Sequence, residues 1–285
     1  MIDGPDPATA TDPAEESEYV LGTRVEEMDR LGFQHQVWAP QTSALWQRAG
    51  FAPGDTILDV GCGPGYASFD LASLAGAAGR VIAVDISKRF VDHLAARSAN
   101  RPDSRVEAMV GDVENLQIPG ERVDAAFARW VLCFTSRPDR VLAGVARALR
   151  PGGVFAVMDY FNYTALDMAP DAPEIRKVVL ATAESVRRRG GDLDVGRRLP
   201  ALLRSAGLAI EHLAPLVRIA RPGSALWRWP ETFFFGYLPT LIEMGLLSDS
   251  DAVDFRECWE ERSRDPDSFL STPPMIEVVA RKPAR

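Results

Sequence analysis

The feature that most constrains this chain is a glycine-rich turn that follows a short apolar run. Residues 57–65 read ILDVGCGPG, so three glycines, Gly61, Gly63 and Gly65, occur within five residues. Glycine adopts backbone conformations that other residues rarely adopt, so this spacing indicates a tight turn from a strand into a helix, where the backbone approaches a ligand closely. Asp85 follows at the end of the next apolar run, where its carboxylate can accept hydrogen bonds from both hydroxyls of a ribose. Together these features predict a site for a nucleoside-containing cofactor.

The glycine spacing and a nearby acid discriminate between nucleoside cofactors. A dinucleotide-binding turn has the pattern G-x-G-x-x-G/A, whereas this chain has G-x-G-x-G with Tyr66 in the sixth position. Asp59 lies two residues before the first glycine, where its charge opposes a pyrophosphate but suits the ammonium and sulfonium groups of S-adenosylmethionine. The sequence therefore favours S-adenosylmethionine, and an NAD(P)-dependent oxidoreductase is the alternative.

Short apolar runs alternate with helical patterns from residue 56 to residue 159. Such runs are typical of parallel strands buried on both faces, and the helices between them are typical of right-handed crossovers. The expected strands are Thr56–Val60, Val81–Asp85, Val106–Val110, Ala125–Ala128 and Val154–Asp159, and the expected helices are Gly65–Leu74, Ser87–Ala99 and Arg137–Leu149. The sequence therefore predicts an α/β fold with a Rossmann-like, doubly wound sheet.

Helical patterns flank this core on both sides. Before it we expect two helices, one that begins at Thr23 and one over residues 41–50. After it we expect helices over about 172–190 and 195–207, a strand over 210–219, a helical insertion over 226–264 and a closing strand over 275–281. The expected organisation is a disordered acidic tail at 1–18, an N-terminal helical cap at 19–50, a cofactor-binding core at 51–160, and a remainder at 161–285 with a substrate-cap insertion at about 222–270.

Four segments of the core, taken in order, resemble the class I S-adenosylmethionine-dependent methyltransferases. Residues 58–65 resemble motif I of that family, 84–87 its ribose-binding acid and the apolar residue after it, 111–113 its adenine-edge segment, and 149–153 the turn before its fifth strand. The start of the chain, with YVLG at 19–22, is similar to bacterial small-molecule methyltransferases, including some related to ubiquinone and menaquinone biosynthesis enzymes.

This resemblance implies a fold, a reaction and a set of contacts. The fold is a seven-stranded, mostly parallel sheet with an antiparallel strand near its carboxyl edge. The reaction is methyl transfer from S-adenosylmethionine to an O, N or C nucleophile of a small molecule. The residues expected to contact the methyl donor are Gln34, Asp59, Gly61, Gly63, Gly65, Asp85, Ile86, Asp112, Val113 and Arg129, of which Gln34 and Arg129 rest on analogy with the family alone.

Aromatic residues are the candidates for contact with the methyl acceptor. Open α/β sheets collect ligand-facing residues at the carboxyl ends of their strands, and aromatic side chains on a late insertion suit the wall of an apolar pocket. The expected substrate-binding residues are Trp130, Tyr160, Trp227, Trp229, Phe234 and Tyr237, and those on the insertion are equally consistent with an ordinary core. The pattern favours a small, aromatic or apolar acceptor.

The sequence leaves the need for a general base open. An activated nucleophile needs only alignment, whereas an unactivated hydroxyl needs a base within hydrogen-bonding reach. His35 and Tyr160 are the candidate catalytic residues. His35 shares a helix face with Leu31 and Trp38, so it equally suits the role of a core histidine.

Composition excludes several classes of protein. The formal net charge of −8 argues against nucleic acid as a partner, and no apolar run is long enough to span a membrane. The three cysteines lie far apart without metal-ligand spacing, so we expect no bound metal and a reducing cytoplasm as the location. A homodimer, and a non-catalytic regulatory protein that binds S-adenosylmethionine, stay open as alternatives.

Overall fold

The computed structural model describes residues 25–101, 105–118 and 122–284. Within these ranges the strands, in chain order, are β1 (Thr56–Val60), β2 (Arg80–Asp85), β3 (Val106–Val110), β4 (Val123–Arg129), β5 (Leu149–Tyr160), β6 (Asp167–Ala169), β7 (Ala209–Leu216), β8 (Ile219–Ala220), β9 (Phe269–Ser271) and β10 (Met275–Arg281). The α-helices are α1 (Val25–Ala49), α2 (Tyr66–Ala75), α3 (Lys88–Ala99), α4 (Pro138–Ala148), α5 (Pro173–Arg188), α6 (Leu199–Ser205), α7 (Ala225–Glu243) and α8 (Asp249–Arg264).

The central sheet confirms the predicted α/β architecture. Its strand order is β3-β2-β1-β4-β5-β10-β7, with β1 to β5 mutually parallel and β10 antiparallel to both of its neighbours. Ile57, Leu58 and Val60 of β1 are buried because helices cover both faces of the sheet. The strand order reverses between β1 and β4, and in such sheets a crevice for ligands opens beyond the carboxyl ends of the strands at this point.

The amino-terminal prediction of two helices is wrong. A single helix, α1, runs through Pro40 without a break. Proline removes one helical hydrogen bond, but Trp38, Leu45 and Trp46 on either side of it are buried against the rest of the molecule, so tertiary packing outweighs that loss. The predicted acidic tail at 1–18, the segment 19–22 and the expected start at Thr23 lie outside the described residues.

The second half of the chain departs from the predicted elements in two places. The helix expected over 195–207 is a 3₁₀ turn, Val195–Arg197, followed by α6, whose first turn contains Pro200. The strand expected over 210–219 ends at Leu216, after which the chain leaves the central sheet and β8 pairs with β9 in a small sheet of order β6-β9-β8. The predicted closing strand is confirmed as β10.

The late insertion forms two helices that pack against other helices of the chain. Helix α7 packs against α1, where the rings of Trp229 and Trp38 meet edge to face at 4.9 Å. Helix α8 packs against α5 and α7. None of the helices in the described ranges is long and apolar enough to cross a membrane.

Candidate functional site

A cavity of about 300 Å³ lies at the carboxyl ends of β1, β4 and β5, beneath α1 and α7. It brings together most of the residues that the sequence singled out. Those that line it are Gln34, His35, Asp59, Gly61, Gly63, Asp85, Ile86, Asp112, Val113, Arg129, Trp130, Tyr160, Trp229, Phe234 and Tyr237. Gly65 and Trp227 do not line it.

The glycine turn between β1 and α2 forms the floor of one end of the cavity. Gly61, Gly63 and Gly65 have φ values of +66°, +54° and +83°, in the left-handed region where side chains are unfavourable. A Cβ on Gly61 would collide with Val131, and one on Gly65 would collide with Leu94. A Cβ on Gly63 would meet only open space. Gly65 therefore serves helix packing, whereas Gly63 keeps the cavity floor clear.

Asp85 braces the same turn from the end of β2. Its Oδ2 accepts a hydrogen bond from the Gly63 amide at 2.8 Å and its Oδ1 accepts one from the Ser87 amide at 2.9 Å. Burial raises the pKa of this carboxyl, and the two amide hydrogen bonds oppose that rise. Each carboxylate oxygen has a second lone pair, so Asp85 can also accept hydrogen bonds from a ligand. The neighbouring Ile86 is 42% exposed and offers an apolar surface to the cavity.

Asp112 and Val113 form the adjoining wall. Asp112 Oδ1 accepts a hydrogen bond from the Glu114 amide at 2.8 Å and so caps the 3₁₀ turn that begins at Val113. Glu114 in turn accepts hydrogen bonds from the Ser136 and Arg137 amides, which ties the loop after β3 to the loop after β4. These contacts fix the Asp112 and Val113 wall in place.

Asp59 places a buried carboxyl group beside the glycine turn. Its Oδ2 accepts a hydrogen bond from the Ser68 hydroxyl at 2.6 Å. Desolvation raises the pKa of Asp59 to about 7, against the lowering effects of the Ser68 hydrogen bond and the charge of Arg129. A cationic group in the cavity would favour the ionised form of this carboxyl.

Arg129 and His35 form a hydrogen-bonded chain across the cavity wall. Arg129 donates to the Thr42 hydroxyl at 2.8 Å and to His35 Nδ1 at 3.2 Å. His35 Nε2 lies 3.0 Å from a carboxylate oxygen of Asp70. Both ring nitrogens of His35 are therefore engaged, and the expectation that His35 acts as a free general base is not supported by this geometry.

Aromatic rings form the opposite end of the cavity. Trp130 has φ +53°, and its indole lies nearly parallel to Trp229 at 5.9 Å and to Tyr160 at 6.0 Å between ring centroids. Its Nε1 donates to the sulfur of Met275 at 3.1 Å. Tyr163, which the sequence analysis did not identify, meets Tyr160 edge to face at 5.1 Å. The left-handed conformation of Trp130 is uncommon for a bulky residue and aligns this stack.

Tyr160 is a poor general base in this environment. Burial is the main cause that raises its pKa well above the usual range, and nearby Tyr163 adds to the rise. A phenol with a raised pKa keeps its proton at neutral pH, so the expected catalytic role of Tyr160 is opposed. Its ring remains part of the cavity wall, and contact with a methyl acceptor stays a prediction.

The side-chain amide of Gln34 is oriented by two donors. Its oxygen accepts hydrogen bonds from Arg30 at 3.1 Å and from Trp229 Nε1 at 3.0 Å. Both partners can only donate, so the side-chain oxygen of Gln34 faces them and its amide nitrogen points away from them. Gln34 also lines the cavity. Gln34 thereby links α1 to α7 across the cavity.

The expectation that Trp227 binds substrate is wrong. Trp227 lies in the first turn of α7, where its ring packs against Trp259 of α8 at 5.4 Å. Its Nε1 donates to the Ser263 hydroxyl at 3.0 Å, and only 2% of the residue is exposed. Trp227 therefore belongs to the core between the two helices of the insertion.

Three residues escaped the sequence analysis: Tyr163, which lines the cavity, and Thr42 and Asp70, which contact cavity-lining residues from behind. Thr42 lies seven positions after His35 on α1, so helical spacing places the two on one face and was a usable signal. Asp70 and Tyr163 carried no such signal, because only the folded chain brings Tyr163 to the cavity wall and Asp70 to His35. Among the described residues, no group of three or more histidine, cysteine, aspartate or glutamate residues could hold a metal ion.

Comparisons with known proteins show methyltransferases among the relatives of this chain. A family description, "Methyltransferase domain", matches residues 58–157. An uncharacterised 37.1 kDa protein in transposon TN4556 of Streptomyces fradiae is 33% identical over 212 residues, which cover 71% of this chain and 59% of that protein. The methyltransferase GfsG of Streptomyces halstedii is 30% identical over 212 residues, which cover 74% of this chain and 72% of GfsG. The chain spans 28% to 59% of the length of three curated relatives, the TN4556 protein among them.

A solved structure shares the fold. The [4+2]-cyclase SpnF matches with a TM-score of 0.55 and 21% identity, over 86% of this chain and 82% of SpnF. That enzyme is named for a ring-forming reaction, so the shared fold does not by itself specify a reaction.

Proposed function

We propose that this chain, which belongs to the class I S-adenosylmethionine-dependent methyltransferase family, transfers a methyl group from S-adenosylmethionine to an O, N or C nucleophile of a small aromatic or apolar metabolite. The observation that carries the proposal is one cavity that joins the glycine turn and Asp85 to a wall of aromatic rings. The first end suits a nucleoside and the second suits a flat or apolar acceptor.

The residues at the glycine turn fit the methyl donor. The open space beside Gly63 leaves room for a ligand against the backbone, and Asp85 has lone pairs for ribose hydroxyls. Ile86 and Val113 offer apolar surface for an adenine ring. S-adenosylmethionine supplies a methyl group activated by the adjacent sulfonium.

The protein's own contribution is alignment and exclusion of water. Asp59 gives negative charge beside the turn, and the stacked rings of Trp130, Tyr160 and Trp229 hold an acceptor against the adjoining wall. Because His35 is engaged at both nitrogens and Tyr160 keeps its proton, we propose an acceptor whose nucleophile is already activated and needs no base from these residues.

The finer expectations about partners and location belong to the same proposal. The net charge of −8 opposes binding of a polyanion, which supports a small-molecule acceptor over nucleic acid. Cys62, Cys133 and Cys258 are all free thiols, which supports a reducing compartment such as the cytoplasm.

Two measurements test the proposal. Isothermal titration with S-adenosylmethionine, S-adenosylhomocysteine and NADH should show binding of the first two and not of NADH. Incubation with methyl-labelled S-adenosylmethionine and a panel of flat aromatic and apolar metabolites should then give labelled product. Binding of NADH alone would support the oxidoreductase alternative. Tight binding of S-adenosylmethionine without transfer to any member of a broad panel would support the non-catalytic regulatory alternative.

A further inference from the structure

We propose that the hydroxyl of Tyr163, together with that of Tyr160, binds the oxygen of a phenol, and that the methyl acceptor is an aromatic ring that carries this group. The inference rests on the proposed function, because it names the substrate class of the same cavity. No sequence signal identified Tyr163, and Tyr160 acts here as a hydrogen-bond donor rather than as a base.

The hydroxyl groups of the cavity divide into engaged and unengaged ones. Six residues that line the cavity carry a hydroxyl, and four of these groups form hydrogen bonds with protein atoms. The four are those of Tyr66, Thr135, Thr182 and Tyr237. The other two belong to Tyr160 and Tyr163, and neither hydroxyl has a hydrogen-bond partner in the part of the chain that the structure describes. Both protons therefore remain for a ligand.

Tyr237 shows the engaged case at the same end of the cavity. Ser185 gives its one hydroxyl proton to the Thr182 carbonyl at 2.7 Å, so it must accept from Tyr237 at 3.0 Å. The Tyr237 oxygen accepts in turn from Arg189 at 3.1 Å. Its hydroxyl thus has one donor and one acceptor on the protein. Tyr237 is therefore a matched comparison for the two unengaged tyrosines.

Both unengaged hydroxyls are open to the cavity. Tyr160 is 8% exposed and Tyr163 is 5% exposed, so protein encloses most of each side chain. Yet neither oxygen is among those side-chain atoms of the described residues that are sealed from solvent without a partner. Because both residues line the cavity, a ligand can reach them there. A buried hydroxyl without a partner is unfavourable, so these two groups favour a ligand that supplies an acceptor atom.

The fold holds the two rings together at the end of β5. Tyr160 is the last residue of this strand, and Tyr163 begins a 3₁₀ turn three residues later. The Tyr163 amide donates to Asp194 Oδ1 at 2.8 Å, which ties this turn to the segment before α6. The ring centroids of the two tyrosines are 5.1 Å apart, so both hydroxyls serve the same end of the cavity.

Two phenol donors select an oxygen that carries negative charge. Burial raises the pKa of Tyr160 and of Tyr163 above the usual range, so each keeps its proton and donates. Hydrogen bonds donated to an ionised phenol favour it over the neutral form, and the acceptor then loses its proton to solvent as it binds. A phenolate is an activated nucleophile. The two tyrosines thereby supply activation without accepting a proton themselves.

The charged groups around the two phenols allow an anion beside them. The charge of Arg30 opposes the rise in the pKa of both tyrosines, so it also favours a negatively charged oxygen there. The charge of Asp159 acts in the other direction on Tyr160. However, the Asp159 carboxylate accepts hydrogen bonds from the Tyr160 and Cys133 amides, so both of its oxygens face the backbone.

The walls around the two donors are apolar. Leu166, Val186 and Leu193 line the cavity, and the indole of Trp130 stacks on Tyr160. Helix α5, which contains Val186, packs against the turn that begins at Tyr163. Further polar groups on a ligand would be unpaired against these side chains. The observations therefore favour an aromatic ring whose hydroxyl lies at the tyrosine end.

The first test measures the preference of the cavity for a hydroxyl group. Protein saturated with S-adenosylhomocysteine is titrated with 2-naphthol and with 2-methylnaphthalene, which has a similar size and no hydrogen-bonding group. Wild-type protein should bind 2-naphthol more tightly by roughly 10-fold, the scale of two hydrogen bonds. Tyr163→Phe and Tyr160→Phe should each reduce this ratio roughly 3-fold. In the control Tyr237→Phe any loss should fall equally on both ligands and leave the ratio at its wild-type value.

The second test follows the ionisation of the bound ligand through the absorbance of naphtholate. Tyr163→Phe should raise the pKa of bound 2-naphthol by about 0.5 to 1 relative to wild type, because one donor to the anion is lost. Tyr237→Phe should leave this pKa at its wild-type value. A merely structural loss of packing would weaken both naphthalenes equally and would not move the pKa, which would contradict the assigned role.

Urea unfolding of the free protein shows whether the variants fold. Tyr163→Phe removes a hydroxyl that has no partner among the described residues, so it should not lower the midpoint of unfolding. Tyr237→Phe loses hydrogen bonds with Ser185 and Arg189 and should lower it. Tyr160→Phe gives the same two ligand measurements independently of Tyr163.

Each outcome supports or overturns the inference. A binding ratio and a ligand pKa that both depend on Tyr163 support it. If Tyr163→Phe instead weakens S-adenosylhomocysteine and leaves the ratio unchanged, the hydroxyl contacts the methyl donor and the inference is overturned. Wild-type protein that binds both naphthalenes equally, or binds neither, also overturns it, while methyl transfer to another member of the panel keeps the proposed function. If wild-type protein binds no S-adenosylmethionine, the proposed function fails and this inference with it.

Discussion

At the scale of single residues, the ionisation of one buried carboxyl group, that of Asp59, makes the stability of the protein depend on pH. Asp59 accepts its one side-chain hydrogen bond from the neutral Ser68 hydroxyl, and burial raises its pKa to about 7. The folded protein therefore holds a proton on Asp59 more tightly than the unfolded chain does between about pH 4 and pH 7. Across that range the contribution of Asp59 to the free energy of unfolding falls as pH rises, and it levels off above about pH 7.

Asp59→Asn removes this pH-dependent contribution. The stability of the variant relative to wild type should increase by roughly 2 kcal/mol between pH 5 and pH 8, because only the wild-type carboxyl must ionise in a desolvated site. Urea unfolding of both proteins at the two pH values measures the difference. A stability difference that does not change with pH would contradict the assignment of a raised pKa to Asp59.

Asp85→Ala should weaken binding of S-adenosylmethionine by roughly 1–3 kcal/mol, the scale of a lost charge-assisted hydrogen bond. The substitution also frees the Gly63 and Ser87 amides, which Asp85 now accepts from. Asp85→Asn is the control, because it keeps one acceptor oxygen and should bind with intermediate affinity. Titration calorimetry gives the three dissociation constants, and an unchanged constant for Asp85→Ala would remove Asp85 from the ribose contact.

At the scale of elements, the glycines in the turn from β1 into α2 meet two different requirements. One is close packing between helices, and the other is open space on the cavity floor. Gly65 begins α2 in a left-handed conformation and packs against Leu94 of α3, so it serves the contact between helices. Gly63 has the same backbone requirement but faces open space within the cavity. We therefore expect Gly65 to be needed for folding and Gly63 to be needed for ligand binding.

Alanine at these two positions should separate the two requirements. Gly65→Ala should lower the free energy of unfolding by about 2–4 kcal/mol, from the strained φ and the collision with Leu94. Gly63→Ala should lower it by only about 1–2 kcal/mol, yet weaken binding of S-adenosylmethionine at least about 10-fold because its methyl group occupies the cavity floor. Urea unfolding and titration calorimetry measure both effects. Equal losses of stability would argue against the role given to Gly65.

At the scale of the whole molecule, the last strand of the chain completes the middle of the sheet. Strand β10 lies between β5 and β7 and pairs antiparallel with both. Met275, Val278 and Ala280 on this strand are fully buried, and Met275 accepts the indole hydrogen bond of Trp130. The fold, and with it the aromatic end of the cavity, therefore depends on residues far from the glycine turn in sequence.

A truncation that ends at Pro274 should abolish cooperative unfolding, because it leaves the edges of β5 and β7 without partners and opens the core. A truncation that ends at Lys282 is the matched control. Pro283 and Ala284, which it removes together with the last residue of the chain, are exposed, and it keeps the bonds from the Lys282 ammonium to the Ala146 and Leu149 carbonyls. Thermal unfolding followed by circular dichroism compares the two. A sharp transition in the shorter protein would show that β10 is dispensable.

The sequence by itself determined the strands from β1 to β5, the glycine turn and the acids beside it. These features depend on local signals, namely apolar runs, glycine spacing and the order of short motifs. Each of these signals lies in residues that are close together along the chain. The same signals predicted a break before residue 41, but α1 continues through it. The prediction fails because the burial of Trp38 and Leu45, which stabilises the continuous helix, is a tertiary effect that no local pattern contains.

Only the tertiary structure decided which side chains meet in the cavity. Arg129 and His35 are 94 residues apart, and Gln34 and Trp229 are 195 apart, so their hydrogen bonds exist only once α1 and α7 pack over the sheet. The same packing turns Trp229 to the cavity while Trp227, two residues earlier, is buried against α8. The physical reason is that burial of an aromatic side chain is favourable in free energy in any apolar surrounding. The direction in which the side chain is buried therefore depends on the neighbouring element.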